Sequence, residues 1–275
     1  KYLFTDFHHI IADGNSYDII FEDINKAYMG EKLEKESYTG FDAALDEEQQ
    51  MKEGKYKKAE KYYDSIFEGI ETESLPLPDC SGKTPERGYL SMPVDTGEPL
   101  VLSACEKLGV TPNILFTGVF GILMSRYSNS EESLFATIYN GRNDSRLSET
   151  VGMLVKTLPV YCNFAGSTEQ CLTEVQKQLI NSMNNDIYPF SQISHEFNIK
   201  ADAMVVYQGD NFEFDNVGGE YAQEEPVRLN MAKAPVSISI SIEKNKFVFD
   251  IEYRGDMYQE ETIKYLADNL ELIAE

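Results

Sequence analysis

The apolar and polar positions of the chain alternate with two different periods. Residues 168–184 repeat their apolar positions at helical spacing, with one face formed by Leu172, Val175, Leu179 and Met183. Residues 235–242 alternate strictly between serines and apolar side chains, and the apolar face consists of Val236, Ile238, Ile240 and Ile242. The two patterns predict a helix and a half-buried strand, respectively.

The same reading predicts interleaved elements over the rest of the chain. Strands are predicted at 2–10, 88–95, 134–139, 151–160, 204–207 and 247–253. Helices are predicted after Ser16 or Asp18 as N-cap, at 42–53, 56–69, 97–108, 112–124 and 168–184, and from Ile263 to Ile273. Because strands and helices alternate throughout, we expect an α/β or α+β class with a central sheet.

Charge and hydropathy narrow the classes of function. The 275 residues carry a formal net charge of −23, which disfavours nucleic acid and anionic membranes as partners. No apolar run approaches the ~20 residues of a membrane span, and the N-terminus lacks the pattern of a signal peptide. The sequence therefore predicts a soluble, cytoplasmic protein. Lys1 leads directly into the first predicted strand, from which we expect a segment of a longer polypeptide.

Cysteine and histidine are too sparse for a metal site. The 4 cysteines are scattered without a CxxC pair, and the chain has only 3 histidines. We expect reduced cysteines that act as small apolar residues, with a nucleophilic thiol as the alternative.

The segment from His8 to Gly14 combines the residue types of an acid–base site. Neighbouring side chains on a strand point to opposite faces, so one of His8 and His9 is expected to face a cavity while the other packs in the core. Asp13 would lie at the turn that ends the strand, and Gly14 would allow a close backbone approach. A neutral imidazole can accept a proton or orient an amine near neutral pH. Two core histidines before an ordinary Asp-Gly turn remain the alternative.

This segment matches HHxxxDG, and the chain resembles the acyltransferase superfamily that contains the condensation domains of nonribosomal peptide synthetases. Further segments resemble that family's motifs in the same order: Asn140-Gly141-Arg142, residues 151–160, residues 185–190, and residues 249–262. The resemblance implies an α/β, chloramphenicol acetyltransferase-like lobe with a central mixed sheet and helices packed on it. Residues 1–28 would supply the HHxxxDG strand, turn and helix at the lobe seam, and 29–275 the C-terminal lobe, with the N-terminal lobe absent.

The resemblance also assigns roles. His9 would be the catalytic histidine, and Gly14 would offer its N–H near the developing oxyanion. His8, Asp13 and Arg142 would support the site, the last two as a bidentate ion pair. The implied reaction joins a carrier-bound acyl or peptidyl thioester to a carrier-bound aminoacyl amine. Its partners would be donor and acceptor carrier-protein domains and an adjacent adenylation domain. The substrates would ride on phosphopantetheine, with no directly bound cofactor or metal.

Two residues depart from the family pattern, and three other functions stay open. Asn15 stands where an aromatic residue is frequent, and Lys156 where asparagine is usual. The alternatives are an epimerisation domain of the same superfamily, a non-catalytic docking domain, and a free-standing transferase that uses an acyl-CoA. The lysines between Lys55 and Lys61 form either a solvated helix face or a docking patch for an acidic carrier protein.

Overall fold

A six-stranded mixed sheet forms the centre of the fold. The computed structural model describes residues 3–70, 76–82, 86–200, 202–210, 216–221, 232 and 234–274. The sheet strands are β1 Arg87–Gly97, β2 Glu132–Tyr139, β3 Lys156–Asn163, β4 Ala203–Asp210, β7 Val236–Glu243 and β8 Lys246–Arg254. The short strands β5 Asn216–Val217 and β6 Glu220–Tyr221 form a separate ribbon. The mixed sheet confirms the predicted architecture.

The strand order β1-β8-β7-β4-β2-β3 places parallel pairs in the middle of the sheet. Strand β4 runs parallel to both β7 and β2, whereas β1/β8, β7/β8 and β2/β3 are antiparallel. The β7–β8 hairpin turns at Lys244 and Asn245, which have φ values of 50° and 63°. Two positive φ values in a two-residue turn match the right-handed twist of the flanking strands.

Eight α-helices are found among the described residues: α1 Gly14–Tyr28, α2 Gly40–Lys52, α3 Lys55–Phe67, α4 Glu98–Leu108, α5 Pro112–Tyr127, α6 Thr168–Asn184, α7 Phe190–Phe197 and α8 Glu260–Ala274. Ser145–Leu147 form a short 3-10 helix between β2 and β3. The most buried is α5, which starts at Pro112 behind the Thr111 cap. Gly118 and Gly121 let it approach its neighbours. A Cβ at Gly118 would lie 2.4 Å from a methyl carbon of Leu172, and a Cβ at Gly121 would lie 2.1 Å from the ring of Phe164.

A second, smaller core forms where α3 packs on α7. Ala59, Tyr63 and Phe67 of α3 are fully buried together with Tyr188 and Ile193. The lysines between Lys55 and Lys61 lie on the opposite, exposed side of α3. This core fixes α3, and α2 packs on α3 in turn.

None of the described helices is long and apolar enough to cross a membrane by itself. The pair α4 and α5 reaches the necessary length and composition only when taken together, and it is bent by 90°. All four cysteines are free thiols; Cys105, Cys162 and Cys171 are buried, and Cys80 is half-buried.

Three local predictions were wrong. Residues 3–8 are irregular rather than a strand, because a strand needs a hydrogen-bonded neighbour and the described residues supply none there; Tyr2 lies outside the described residues. The N-cap of α1 is Asp13, not Ser16 or Asp18. Residues 151–155 form a loop, and β3 begins only at Lys156.

Candidate active site

The two histidines lie in a tight turn that precedes α1. The Ile11 N–H donates to the His8 carbonyl oxygen at 3.0 Å, which closes a turn over residues 8–11. Both His8 and His9 are exposed. The expectation that one imidazole packs in the core was therefore wrong, because the alternation of a strand does not apply to a turn.

The hydrogen bonds of the turn give the Nδ1 atoms of the two imidazoles opposite roles, donor in His9 and acceptor in His8. The Nδ1 atom of His9 lies 2.8 Å from the Ala12 carbonyl oxygen, which can only accept, so Nδ1 carries the hydrogen. In the neutral ring, the lone pair is then on Nε2. The Nδ1 atom of His8 instead accepts from the Ile10 N–H at 3.2 Å. His9 therefore presents a basic nitrogen away from its own backbone.

Asp13 anchors the turn to the rest of the chain. Its carboxylate is fully buried. The Oδ1 atom accepts from the Ser16 N–H at 2.9 Å and the Ser16 hydroxyl at 2.8 Å, and Oδ2 accepts from the Leu154 N–H at 2.9 Å. The first of these bonds caps helix α1. One side chain thus joins the histidine turn, the start of α1 and the 151–155 loop.

Arg142 neutralises the carboxylate of Asp13 in an ion pair, as predicted. Its Nη2 lies 2.9 Å from Asp13 Oδ1, and the Arg142 side chain is only 5% exposed. The prediction of a bidentate pair was wrong, because only Nη2 of Arg142 contacts the Asp13 carboxylate. Nη1 donates to the carbonyl oxygens of Leu147 and Thr150 at 2.9 and 3.1 Å, and Asp13 Oδ2 is already bonded to Leu154. Within the described part of the chain, the buried Nε of Arg142 has no hydrogen-bond partner.

The carboxyl of Asp13 stays ionised in this environment. Burial by itself raises the pKa of Asp13. The hydrogen bonds from the Ser16 hydroxyl, the Leu154 N–H and the Ser16 N–H outweigh it, and with the charge of Arg142 they hold the pKa below its ordinary value. Burial raises the pKa of the neighbouring Asp18, with the charge of Arg142 acting in the opposite direction.

Ser16 also connects α1 to the 151–155 loop, and the sequence analysis did not assign it to the site. Its buried hydroxyl accepts from the Gly152 N–H at 3.0 Å and lies 3.3 Å from Arg142 Nη2. The spacing of three residues between Asp13 and Ser16 is a helix-cap signal and could have indicated the local bond. The contact with Gly152 spans 136 positions and leaves no local signal.

Gly14 is the first residue of α1 and is exposed. A Cβ added there would meet no atom within 4 Å, so the space in front of it is open. The N–H groups of the first helical turn have no acceptor inside the helix and carry partial positive charge. Open space beside such N–H groups can receive a developing negative charge.

Lys156, which departs from the family pattern, is engaged by an acidic residue of α2. Its Nζ lies 2.9 Å from Glu47 Oε1, and the lysine side chain is 33% exposed. Burial raises the pKa of nearby Asp186, and the charge of Lys156 lowers it. Lys156 is thus part of a half-buried charge cluster between α2 and the end of α6.

Comparison with known proteins gives a consistent result. A family model described as "Condensation domain" matches residues 1–274. Bacitracin synthase 1 of Bacillus licheniformis is 24% identical over 283 residues, which cover 98% of this chain and 5% of that protein.

Two solved structures share the fold. The X-domain in its complex with OxyB from teicoplanin biosynthesis superposes with a TM-score of 0.80 at 17% identity, covering 97% of this chain and 66% of that chain. The first condensation domain of the calcium-dependent antibiotic synthetase, in complex with a substrate analogue, gives 0.76 at 16% identity, covering 98% of this chain and 62% of that chain. The chain therefore spans about two thirds of these solved chains and a small part of the curated relative.

Proposed function

Because this chain belongs to the condensation-domain family, we propose that it carries the catalytic turn of an amide-forming domain in a nonribosomal peptide synthetase. The reaction joins a carrier-bound acyl or peptidyl thioester to a carrier-bound aminoacyl amine. The observation that carries the proposal is the exposed His9 ring, whose Nδ1 is bonded to Ala12 so that Nε2 faces away from the backbone.

His9 acts on the acceptor amine. The amine nitrogen attacks the thioester carbonyl carbon, a C–N bond forms, and the carbonyl oxygen becomes an oxyanion. Nε2 orients the amine or accepts its proton as the nucleophile adds. The C–S bond then breaks, the carbonyl reforms, and the phosphopantetheine thiol leaves with a proton, so that atoms and charges balance.

Gly14 supports the charge that develops on the carbonyl oxygen. Its N–H lies at the positive end of α1, and the position where a side chain would stand is open. Donors that are fixed in position before reaction stabilise an oxyanion more than mobile water does.

Asp13, Arg142 and His8 hold the catalytic turn in place. Asp13 and Arg142 form the buried ion pair beneath the turn, and a pair of this kind specifies geometry more than it adds net stability. His8 accepts from the Ile10 N–H and so stabilises the turn that presents His9.

We assign the chain to the C-terminal lobe, with residues 1–28 at the seam and 29–275 as the body of the lobe. The support is an apolar surface around the histidine turn, where Leu3, Phe4, Ile10 and Ile11 are all more than half exposed. A neighbouring N-terminal lobe would cover these side chains. Donor and acceptor carrier-protein domains, whose phosphopantetheine arms hold the substrates, and an adjacent adenylation domain are the proposed partners in a cytoplasmic assembly.

The test is a reconstituted reaction of the full-length domain with loaded donor and acceptor carrier domains, followed by mass spectrometry. An amide product that disappears in His9→Ala supports the proposal, and residues 1–275 alone should give none. Loss of deuterium from the α-carbon without amide formation would instead assign an epimerisation domain. Carrier binding with neither product would assign a docking domain. Transfer from a free acyl-CoA would assign a free-standing transferase.

A further inference from the structure

The loop between β2 and β3, residues 140–155, contains Arg142 and is held by a second set of contacts besides those of Asp13. We infer that Tyr38, Asp46 and Arg146, here termed the outer clamp, position this loop and through it the His9 turn. They are positioning residues for the proposed amide-forming reaction, and the inference rests on that function.

The outer clamp is a closed triangle of three side chains. The guanidinium carbon of Arg146 lies 4.5 Å from the centre of the Tyr38 ring. Arg146 Nη2 donates to Asp46 Oδ2 at 2.9 Å, and the Tyr38 hydroxyl donates to the same oxygen at 2.6 Å. Each member therefore contacts the other two, which restricts all three side chains more than a single ion pair would.

Charge keeps the triangle closed across the neutral pH range. Burial, followed by the hydrogen bond to Asp46, raises the pKa of Tyr38 to about 12. The hydrogen bonds from Tyr38 and Arg146 hold the pKa of Asp46 below its ordinary value. The hydrogen bonds that Arg146 donates to the carboxylates of Asp144 and Asp46 raise the pKa of Arg146. At neutral pH, the Tyr38 hydroxyl therefore stays protonated, the Asp46 carboxylate stays ionised and the Arg146 guanidinium stays charged.

The clamp reaches the loop through the connection between α1 and α2. The Thr150 hydroxyl lies 2.8 Å from the Tyr38 carbonyl oxygen, and the Val151 N–H donates to Glu36 Oε1 at 3.0 Å. Gly40 fits against the loop, since a Cβ there would lie 3.2 Å from the Val151 carbonyl oxygen. Residues 150 and 151 are therefore held by Tyr38, Glu36 and Gly40 in addition to Arg142.

From the loop, the contacts continue to the histidine. The Thr150 carbonyl oxygen accepts from Arg142 Nη1, and the Leu154 N–H donates to Asp13 Oδ2. Asp13 follows Ala12, whose carbonyl oxygen fixes the ring of His9. A shift of the loop by a fraction of an ångström would therefore move donors that hold Asp13, and with it the orientation of Nε2. The clamp acts only through these intermediates.

The test compares Arg146→Ala, Arg146→Lys and Tyr38→Phe by hydrogen exchange in the full chain. We expect the amides of Ser16 and Leu154 to exchange about tenfold faster in Arg146→Ala, while the amides of helix α5 keep the wild-type rate. Arg146→Lys and Tyr38→Phe should give smaller increases at the same amides, because each keeps part of the triangle. Lys52→Ala is the matched control, since it removes another exposed ion pair of α2, with Glu48, that does not touch the loop.

Two results would overturn the inference. One is unchanged exchange of Ser16 and Leu154 in all three clamp variants. The other is an equal rise in α5, which would mean a general loss of stability rather than local positioning. In the full-length domain, we expect kcat of Arg146→Ala to fall about tenfold with partial recovery in Arg146→Lys, since small misplacements of catalytic groups slow turnover. A wild-type domain that forms no amide refutes the proposed function, whereas the exchange data still decide whether the clamp positions the turn.

Discussion

The Nδ1 atom of His9 donates to the carbonyl oxygen of Ala12 at an N···O distance of 2.8 Å, and Ala12, which directly precedes Asp13, is buried. The orientation of an exposed imidazole is therefore set by the backbone that leads into a buried ion pair. An exposed histidine at the tip of a turn would otherwise sample several rotamers. Under the proposed function, this link makes Asp13 a positioning residue for His9.

His9→Ala should lower the turnover of the full-length domain by roughly 10²–10⁴-fold, since general-base or positioning assistance is worth that much. His8→Gln should stay within a few-fold of wild type, because glutamine can still accept from the Ile10 N–H and the position is exposed. Single-turnover assays with loaded carriers measure both. A His9→Ala variant as fast as His8→Gln would remove His9 from the mechanism.

Asp13→Asn should destabilise the fold by about 3–5 kcal/mol, the typical cost of leaving a buried charge without its partner. The new amide nitrogen would also face the N–H of either Ser16 or Leu154. Guanidinium denaturation gives the free energy of unfolding. Glu22→Gln, which removes an exposed ion pair with Lys26 on the same helix, is the control and should change it little. A cost equal to that of the control contradicts the structural role of the pair.

The contribution of Asp13 to stability should disappear in acid. Because the pKa of Asp13 is lowered in the folded state, its stabilisation is complete above the unfolded-state pKa of about 3.9 and is lost as the pH falls through the folded value. The free energies of unfolding of wild type and Asp13→Asn should therefore converge as the pH drops below about 4. Urea titrations at a series of pH values check this, and a constant difference would argue against the ion pair.

Asp186→Asn should have the opposite effect. Burial raises the pKa of Asp186, so its ionised form costs stability above the folded-state pKa, and this cost is relieved as the pH falls through that value. The variant should be more stable than wild type at pH 7 and lose this advantage in acid. Glu174→Gln, at an exposed position of α6, serves as control. A destabilised Asp186→Asn at pH 7 would mean that the carboxylate makes net favourable contacts.

Gly141→Ala should damage the site far more than Gly109→Ala. Both glycines have left-handed backbones, with φ values of 70° and 67°. A Cβ at Gly141 would lie 1.9 Å from the Leu154 carbonyl oxygen, whereas one at Gly109 meets nothing within 4 Å. Gly109→Ala is the control, which measures the cost of about 1–2 kcal/mol for a left-handed alanine backbone. The additional loss of stability in Gly141→Ala measures the displacement of the loop whose Leu154 N–H donates to Asp13. Similar melting temperatures for the two variants would contradict this.

Much of the fold follows from periodicity in the sequence. Helix α6 has the predicted bounds, and β7 and β8 lie within one residue or so of theirs, because amphipathic spacing reports which face is buried. Helix α7 was not predicted. Phe190, Ile193 and Phe197 do stand at helical spacing behind Pro189, but the eight residues of this helix make only about two turns, too short for the window over which periodicity identifies a helix.

The histidine turn marks where local reasoning fails. Aromatic and β-branched residues before His8 favour a strand, but pairing with a neighbour decides whether one forms. The Asp13–Arg142 ion pair was predicted from motif order, yet its geometry depends on Leu147, Thr150 and Leu154. Those backbone contacts of the loop come from its path in three dimensions, which side-chain periodicity does not encode.

The pairing of β1 with β8 has a consequence for the order in which the chain folds. It joins residues 87–97 to residues 246–254, and the backbone of Gly82 is bonded to Asp256 just beyond. The β7–β8 hairpin is local and can form quickly, but β1 must wait for a strand that the ribosome produces much later. β8 is the only neighbour of β1 among the described strands, so until β8 is made both edges of β1 can associate with other chains. The sheet can therefore be completed only after the C-terminal hairpin has been synthesised. A chain truncated before residue 246 lacks β8 and should aggregate.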